Sequence, residues 1–162
     1  MIKLSVGAEN LSSNDPFTQG AIESVGNEQK ILLVEDDPQI RALLGKIITK
    51  VIPGGKVEWV SYAEAALTNL RTAADRGEAC PYILAVVDIV LDGVMDGLQF
   101  WKRATKMYPE LPIIITSGIS NEEFWKRQED QKDCPTFLPK PFFIPECKEL
   151  IELMINLESP GT

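Results

Sequence analysis

The chain predicts a doubly wound α/β sandwich, in which five parallel strands alternate with five helices around one core. Two observations carry that prediction. Short apolar runs rich in Val and Ile recur along the sequence, each too short for a buried helix and each bounded by turn residues. Between them lie longer stretches whose apolar residues fall at helical spacing. Of the 162 residues, 44% are hydrophobic, which suits one core and is too little for two ordinary domains.

Residues 1–29 scatter their apolar side chains without period among Ser, Asn, Gly and Glu, so they read as a disordered extension, and the folded domain spans 30–162. Ile31 to Val34 predicts the first strand, followed by the acidic run Glu35-Asp36-Asp37. Asp37 as N-cap and Pro38 at the first helical position open a helix with Ile40, Leu43, Leu44, Ile47, Ile48 and Val51 on one face. Pro53-Gly54-Gly55 ends it. Val57 to Val60 predicts the second strand, and Tyr62 to about Arg76 a helix with Ala63, Ala66, Leu67 and Leu70 inward. Tyr82 to Asp88 predicts a central strand covered on both faces, and Gly97 to about Met107 a helix presenting Leu98, Trp101 and Ala104. Ile113 to Thr116 is the fourth strand, and a polar helix follows from about Asn121 to Gln131. Thr136 to Leu138 is hemmed by Pro135, Pro139 and Pro141, so it belongs at an edge. The last helix runs from about Pro145 to Leu157 with Leu150, Ile151, Met154 and Ile155 inward.

Charge and cysteine usage exclude several classes of function. With 24 acidic against 16 basic residues and a net charge of -8, the surface repels nucleic acid and acidic membranes. Cys80, Cys134 and Cys147 lack CxxC spacing, and no histidine accompanies them, so neither a disulfide framework nor a zinc site is expected. Reduced thiols, no secretory leader and no apolar run of membrane-spanning length point to a cytoplasmic protein.

The chemistry lies in the strand ends. Glu35, Asp36 and Asp37 follow the first strand, Asp88 ends the third, Thr116 and Ser117 end the fourth, and Lys140 follows the fifth. Parallel strands bring all of these to one edge of the sheet, and in the flavodoxin-like order 2-1-3-4-5 the switch-point crevice falls between strands 1 and 3. Alone, Asp88 could simply cap the next turn. Clustered carboxylates repel one another unless a cation sits among them, and an all-oxygen site of this kind suits Mg²⁺. One carboxylate is then free to attack a phosphoryl group, which makes Asp88 the nucleophile. Lys140, the Ser117 hydroxyl and the Gly118 amide would hold the phosphoryl oxygens. Ile89 and Val90, directly after Asp88, are expected to border the phosphoryl group as well.

ILLVEDDPQIR, VVDIVLDGVMDG, IIITSG and FLPKPF occur in one order across residues 30–158, and together they resemble the receiver domains of two-component response regulators. The resemblance implies that Asp88 accepts phosphate and that Glu35 and Asp36 form the acidic pair for Mg²⁺, joined by the Val90 carbonyl. It makes Ser117 the switch hydroxyl, Phe137 the switch aromatic and Lys140 the phosphate-binding lysine, with Lys140-Pro141 in cis. The donor would be a histidine kinase or a histidine phosphotransfer protein. A stand-alone receiver is expected, with output through protein contacts, a homodimer among them, and with no enzymatic activity beyond its own phosphorylation and dephosphorylation. The loop between Asp88 and Gly97 is one residue longer than is common in the family, and Asp92 stands where Pro is frequent.

A phosphatase of the haloacid dehalogenase type would want a second Asp two residues after the nucleophile, where Val90 stands, and a Toprim-like nuclease would want a DxD pair that Asp88-Ile89-Val90 lacks. A pseudo-receiver would not need the intact acidic pair, Asp88 and Lys140. Trp59, Trp101 and Trp125 read as packing residues, and Phe142-Phe143 as core or edge packing with one ring available to a partner.

Overall fold

Strand β1 (Lys30–Val34) sits between β2 (Lys56–Val60) and β3 (Leu84–Asp88), and beyond β3 lie β4 (Ile113–Ser117) and the edge strand β5 (Thr136–Pro139). Every pairing is parallel, and the order is 2-1-3-4-5 as the sequence predicts. The computed structural model describes residues 28–128 and 133–156. The expected disordered extension lies outside the described residues except for Glu28 and Gln29, and so do the last residues of the predicted fourth helix and Leu157 of the fifth.

Successive strand residues point to opposite faces, and helices cover both faces, so the central strands are apolar on both sides until polar residues appear at their carboxyl ends, Asp88 in β3 and Thr116-Ser117 in β4. On one face Leu32, Val34, Ala85, Val87, Ile113 and Ile115 pack against α2 (Ala63–Asp75), α3 (Gly97–Met107) and Phe124 of α4 (Asn121–Gln128). On the other, Ile31, Leu33, Leu84, Val86, Ile114 and Leu138 pack against α1 (Pro38–Val51) and α5 (Ile144–Asn156). The helical faces read from the sequence are the buried ones, with three additions, the first being Ala73 near the end of α2. Phe100 is more deeply buried than Leu98 in α3, and Cys147 joins Ile151 under α5. Trp101 packs in the core as expected, whereas Trp59, Trp125 and Phe143 are substantially exposed, and Phe142 packs against the α1/α5 core.

Strand β3 starts two residues later than predicted. The Ile83 amide still donates to the Lys30 carbonyl at 2.9 Å, but Tyr82 turns its phenol to Glu58 Oε1 at 2.9 Å and receives Asn69 Nδ2 at 3.2 Å. Burial and the bond to the Glu58 carboxylate push this phenol up to about 12. An unfolded phenol ionises near pH ~10, so between the two values the folded state binds more protons than the unfolded one and stability falls as pH rises. Ultraviolet titration should show a phenol that ionises only near pH 12 and disappears in Tyr82→Phe. A variant with an unchanged titration curve would contradict this assignment.

The start of α3 is wedged against the end of β3. The Gly97 amide donates to the Ile89 carbonyl at 3.0 Å, and a Cβ on Gly97 would lie 2.1 Å from the Asp88 carbonyl oxygen. Those atoms are backbone and cannot swing aside. Gly97→Ala should therefore cost about 1–3 kcal/mol or more in urea unfolding, through overpacking. Gly45, inside α1 with nothing within 4 Å of a Cβ, gives the control: Gly45→Ala should stabilise by roughly 0.5–1 kcal/mol. Equal effects at the two glycines would refute the close approach.

Candidate functional site

The acidic run after β1 is sorted by the turn into α1. Asp37 Oδ1 accepts the amides of Gln39 at 2.7 Å and Ile40 at 3.3 Å, so this carboxylate serves the helix as its N-cap. Glu35 instead points inward and is 1% exposed, and its Oε1 accepts the Asp37 amide at 3.1 Å. Asp36 lies half-buried between them. Asp88, at the end of β3, is 6% exposed. From the far edge of the sheet Lys140 reaches back across β4 and places its Nζ 2.8 Å from both Glu35 Oε2 and Asp88 Oδ2.

This bridge decides the local electrostatics. Burial alone would lower the Lys140 ammonium, but hydrogen bonds and charge from Asp88 and Glu35 outweigh it and raise it. Burial raises Glu35, and the nearby Asp88 charge adds to that, while Lys140 pulls it down only in part. Oxygen atoms of Glu35, Asp36 and Asp88 lie within 4.8 Å of one another. Three carboxylates against one ammonium leave two negative charges, and every donor is a hard oxygen. The set fits a hard divalent cation.

The loop from β3 to α3 closes over these acids. The Val90 amide donates to Asp88 Oδ1 at 3.3 Å, and the Asp92 amide to Asp36 Oδ2 at 3.3 Å. The Ile89 amide donates to the Thr116 carbonyl at 2.9 Å, and its side chain is buried in the core. Gly118 is exposed, with no atom within 4 Å of where its Cβ would be.

Thr116 and Ser117 are both fully buried, and the sheet separates them. Ser117 follows Ile113 and Ile115 toward the α2/α3 face, where its Oγ accepts the Ile119 amide at 3.4 Å. Thr116 faces the opposite side, in register with Asp88, and its hydroxyl has no hydrogen-bond partner among the described residues. Phe137, paired with Ile115, lies on the Ser117 side and stacks on Phe124 with ring centroids 4.0 Å apart. The Lys140 amide donates to the Ser117 carbonyl at 2.6 Å, and the Lys140-Pro141 bond is cis, in line with the resemblance.

Sequence reasoning missed two residues at this edge. Trp59 is no mere packing residue: its Nε1 donates to the Glu35 carbonyl at 2.7 Å while the Arg41 guanidinium lies 3.5 Å over its ring. The second is Glu64, whose Oε1 accepts the amides of Val94 at 2.8 Å and Met95 at 2.7 Å. A Glu in the first turn of a helix reads only as a residue that suits the helix dipole, and nothing in the sequence points to its partners.

Comparison with known proteins agrees with this geometry. Residues 31–152 match the response regulator receiver domain family. The response regulator receiver protein CpdR of Brucella abortus (strain 2308) is 29% identical over 127 residues, which cover 78% of this chain and 97% of that protein. Among solved structures, the receiver domain of NtrX from Brucella abortus is similar at 28% identity and a TM-score of 0.61, covering 78% of this chain and 98% of that one. A response regulator receiver protein from Sinorhizobium medicae WSM419, 24% identical, shares the fold with a TM-score of 0.66 over 81% of this chain and 97% of its own. With Asp88 at the end of the central strand, Lys140 bridged to it and the family matched across the whole sheet, the chain belongs to the response regulator receiver domains.

Proposed function

We propose that this receiver is Mg²⁺-dependent and takes a phosphoryl group onto Asp88 from a phosphohistidine on a histidine kinase or phosphotransfer protein. The observation that carries the reading is the Lys140 ammonium, 2.8 Å from the Asp88 carboxylate in a buried, acid-lined crevice at the switch point of the sheet. An Asp88 carboxylate oxygen attacks phosphorus, the phosphorus–nitrogen bond of the donor breaks, and the imidazole leaves with the bonding electron pair. Lys140 then lies where it can follow the charge onto the phosphoryl oxygens. Glu35, Asp36 and Asp88, together with the Val90 carbonyl, would hold Mg²⁺, whose charge would offset that of the acids.

The same reading gives Ser117 and Phe137 the output. Turning the buried Ser117 hydroxyl toward a phosphoryl group would vacate space on the face where Phe137 stacks on Phe124, shifting the α4/β5 surface between two populations. Output through protein contacts, a partner protein or a second copy of the chain, follows, and the net charge of -8 supports neither nucleic acid nor an acidic membrane as partner. Among the described residues no helix is long and apolar enough to cross a membrane. The chain's only chemistry would be its own phosphorylation and dephosphorylation.

Incubation with acetyl phosphate and Mg²⁺ should add one phosphoryl group by intact mass, and Asp88→Ala should abolish the adduct. A variant that kept the adduct would disprove Asp88 as acceptor. Because Asp37 is the α1 cap and Asp36 is not, Asp36→Ala should lose most of the Mg²⁺ affinity measured by tryptophan fluorescence. Asp37→Ala should keep that affinity and lose about 1 kcal/mol of stability in urea. The reverse pattern would mean that the two acids have been assigned to each other's roles.

A further inference from the structure

Glu64 stands at the start of α2, on the far side of the β3–α3 loop from Lys140, and its carboxylate is the loop's main polar fastening. Oε1 gathers two consecutive amides, those of Val94 and Met95. Oε2 is buried, has no hydrogen-bond partner among the described residues, and lies 3.0 Å from where a Cβ on Gly93 would be. Gly93 has φ 123°, a conformation that L side chains rarely adopt, so the chain is shaped to pass close over this carboxylate. Apolar anchoring is limited: Met95 is buried and Leu91 packs on the core, while Val94 is 96% exposed and Val90 69%. Without the clamp, little would hold the stretch between Leu91 and Met95 in one path.

That path matters because the same loop carries two contacts to the acids. The Asp92 amide reaches Asp36 Oδ2, and the Val90 amide reaches Asp88 Oδ1, both at 3.3 Å. Proline at position 92 could not make the first contact, because it has no N–H. The carboxyl of Glu64 is held below the usual carboxylate range by its own backbone amide and those of Val94 and Met95, so it stays an acceptor at neutral pH.

We propose that Glu64 is a positioning residue for the phosphorylation site: by clamping the Val94 and Met95 amides it fixes the loop that presents Val90 and Asp92 to the acidic cluster, and so sets its Mg²⁺ affinity. This rests on the phospho-accepting reading above. Residues that orient metal ligands from outside the coordination shell change affinity by roughly tenfold or more when removed. Glu64→Ala should therefore raise the Mg²⁺ midpoint in a tryptophan fluorescence titration about tenfold. Phosphorylation by acetyl phosphate should slow at limiting Mg²⁺ and recover at saturating Mg²⁺. Glu64→Gln should stay within about twofold of wild type in both, because a carboxamide oxygen can accept the same two amides.

Coupling is reciprocal, which gives a test without any variant. In the wild-type protein, saturating Mg²⁺ should slow hydrogen exchange at the Val94 and Met95 amides by a factor similar to the shift in midpoint. Three results would overturn the proposal: a Glu64→Ala midpoint within twofold of wild type, a Glu64→Gln as weak as Glu64→Ala, or exchange at Val94 and Met95 indifferent to Mg²⁺. If wild-type protein takes up no phosphoryl group, the site reading itself fails and the proposal with it. If it does, and Glu64→Ala responds to Mg²⁺ like wild type, only the role of Glu64 is lost.

Discussion

The contact on which the carboxyl edge of this sheet depends is one ammonium shared by two buried carboxylates. Lys140 lies 2.8 Å from Glu35 and from Asp88, the one just past the end of β1 and the other at the end of β3. Removing one partner of a buried ion pair typically costs about 3–5 kcal/mol, because the other charge is left without compensation. Here the loss of Lys140 would leave two charges, not one, with Asp36 adjacent. The topology makes this contact available: β1 and β3 are neighbours, which brings the acids together, and β5 ends close enough for a lysine to reach over β4.

Much of this was legible in the sequence, for a physical reason. Asp88 and Lys140 interrupt or follow apolar runs at the ends of strands, and parallel strands put such ends on one edge whatever the details of packing. Asp37 was readable as a cap because Asp followed by Pro is a local signal, and the local geometry bears it out. Less readable were features set by contacts across the fold. Tyr82 looks like the first residue of a strand until Glu58 and Asn69 claim its phenol. Leu98 and Phe100, two residues apart, point to different sides of α3, and either side can be completed by Trp101 or Ala104; the packed structure buries Phe100 fully and Leu98 in part. Glu64 acts on amides 30 and 31 residues away, and backbone amides carry no signature in the sequence.

The two faces of the sheet carry different parts of the device. Asp88 and Thr116 continue the strand positions that face α1 and α5, whereas Ser117 and Phe137 continue those that face α2, α3 and α4. The acids and the Phe124–Phe137 stack meet at the strand ends, where the Lys140 amide donates to the Ser117 carbonyl at 2.6 Å. Trp59 ties the acidic turn to β2 in a similar way, through the Glu35 carbonyl and the Arg41 guanidinium above its ring.

Lys140 and Glu35 are 105 positions apart, and that separation bears on how the chain is made. As the polypeptide emerges during synthesis, the acids of β1 and β3 are present long before β5 exists to supply their cation. Parallel strands pair only through long crossovers, so closure of such a sheet is slow and depends on distant segments. A nascent chain halted after β4 would carry Glu35, Asp36 and Asp88 together with no counter-charge among them. The Lys140 bridge is thus a contact that can form only once the last strand has been made.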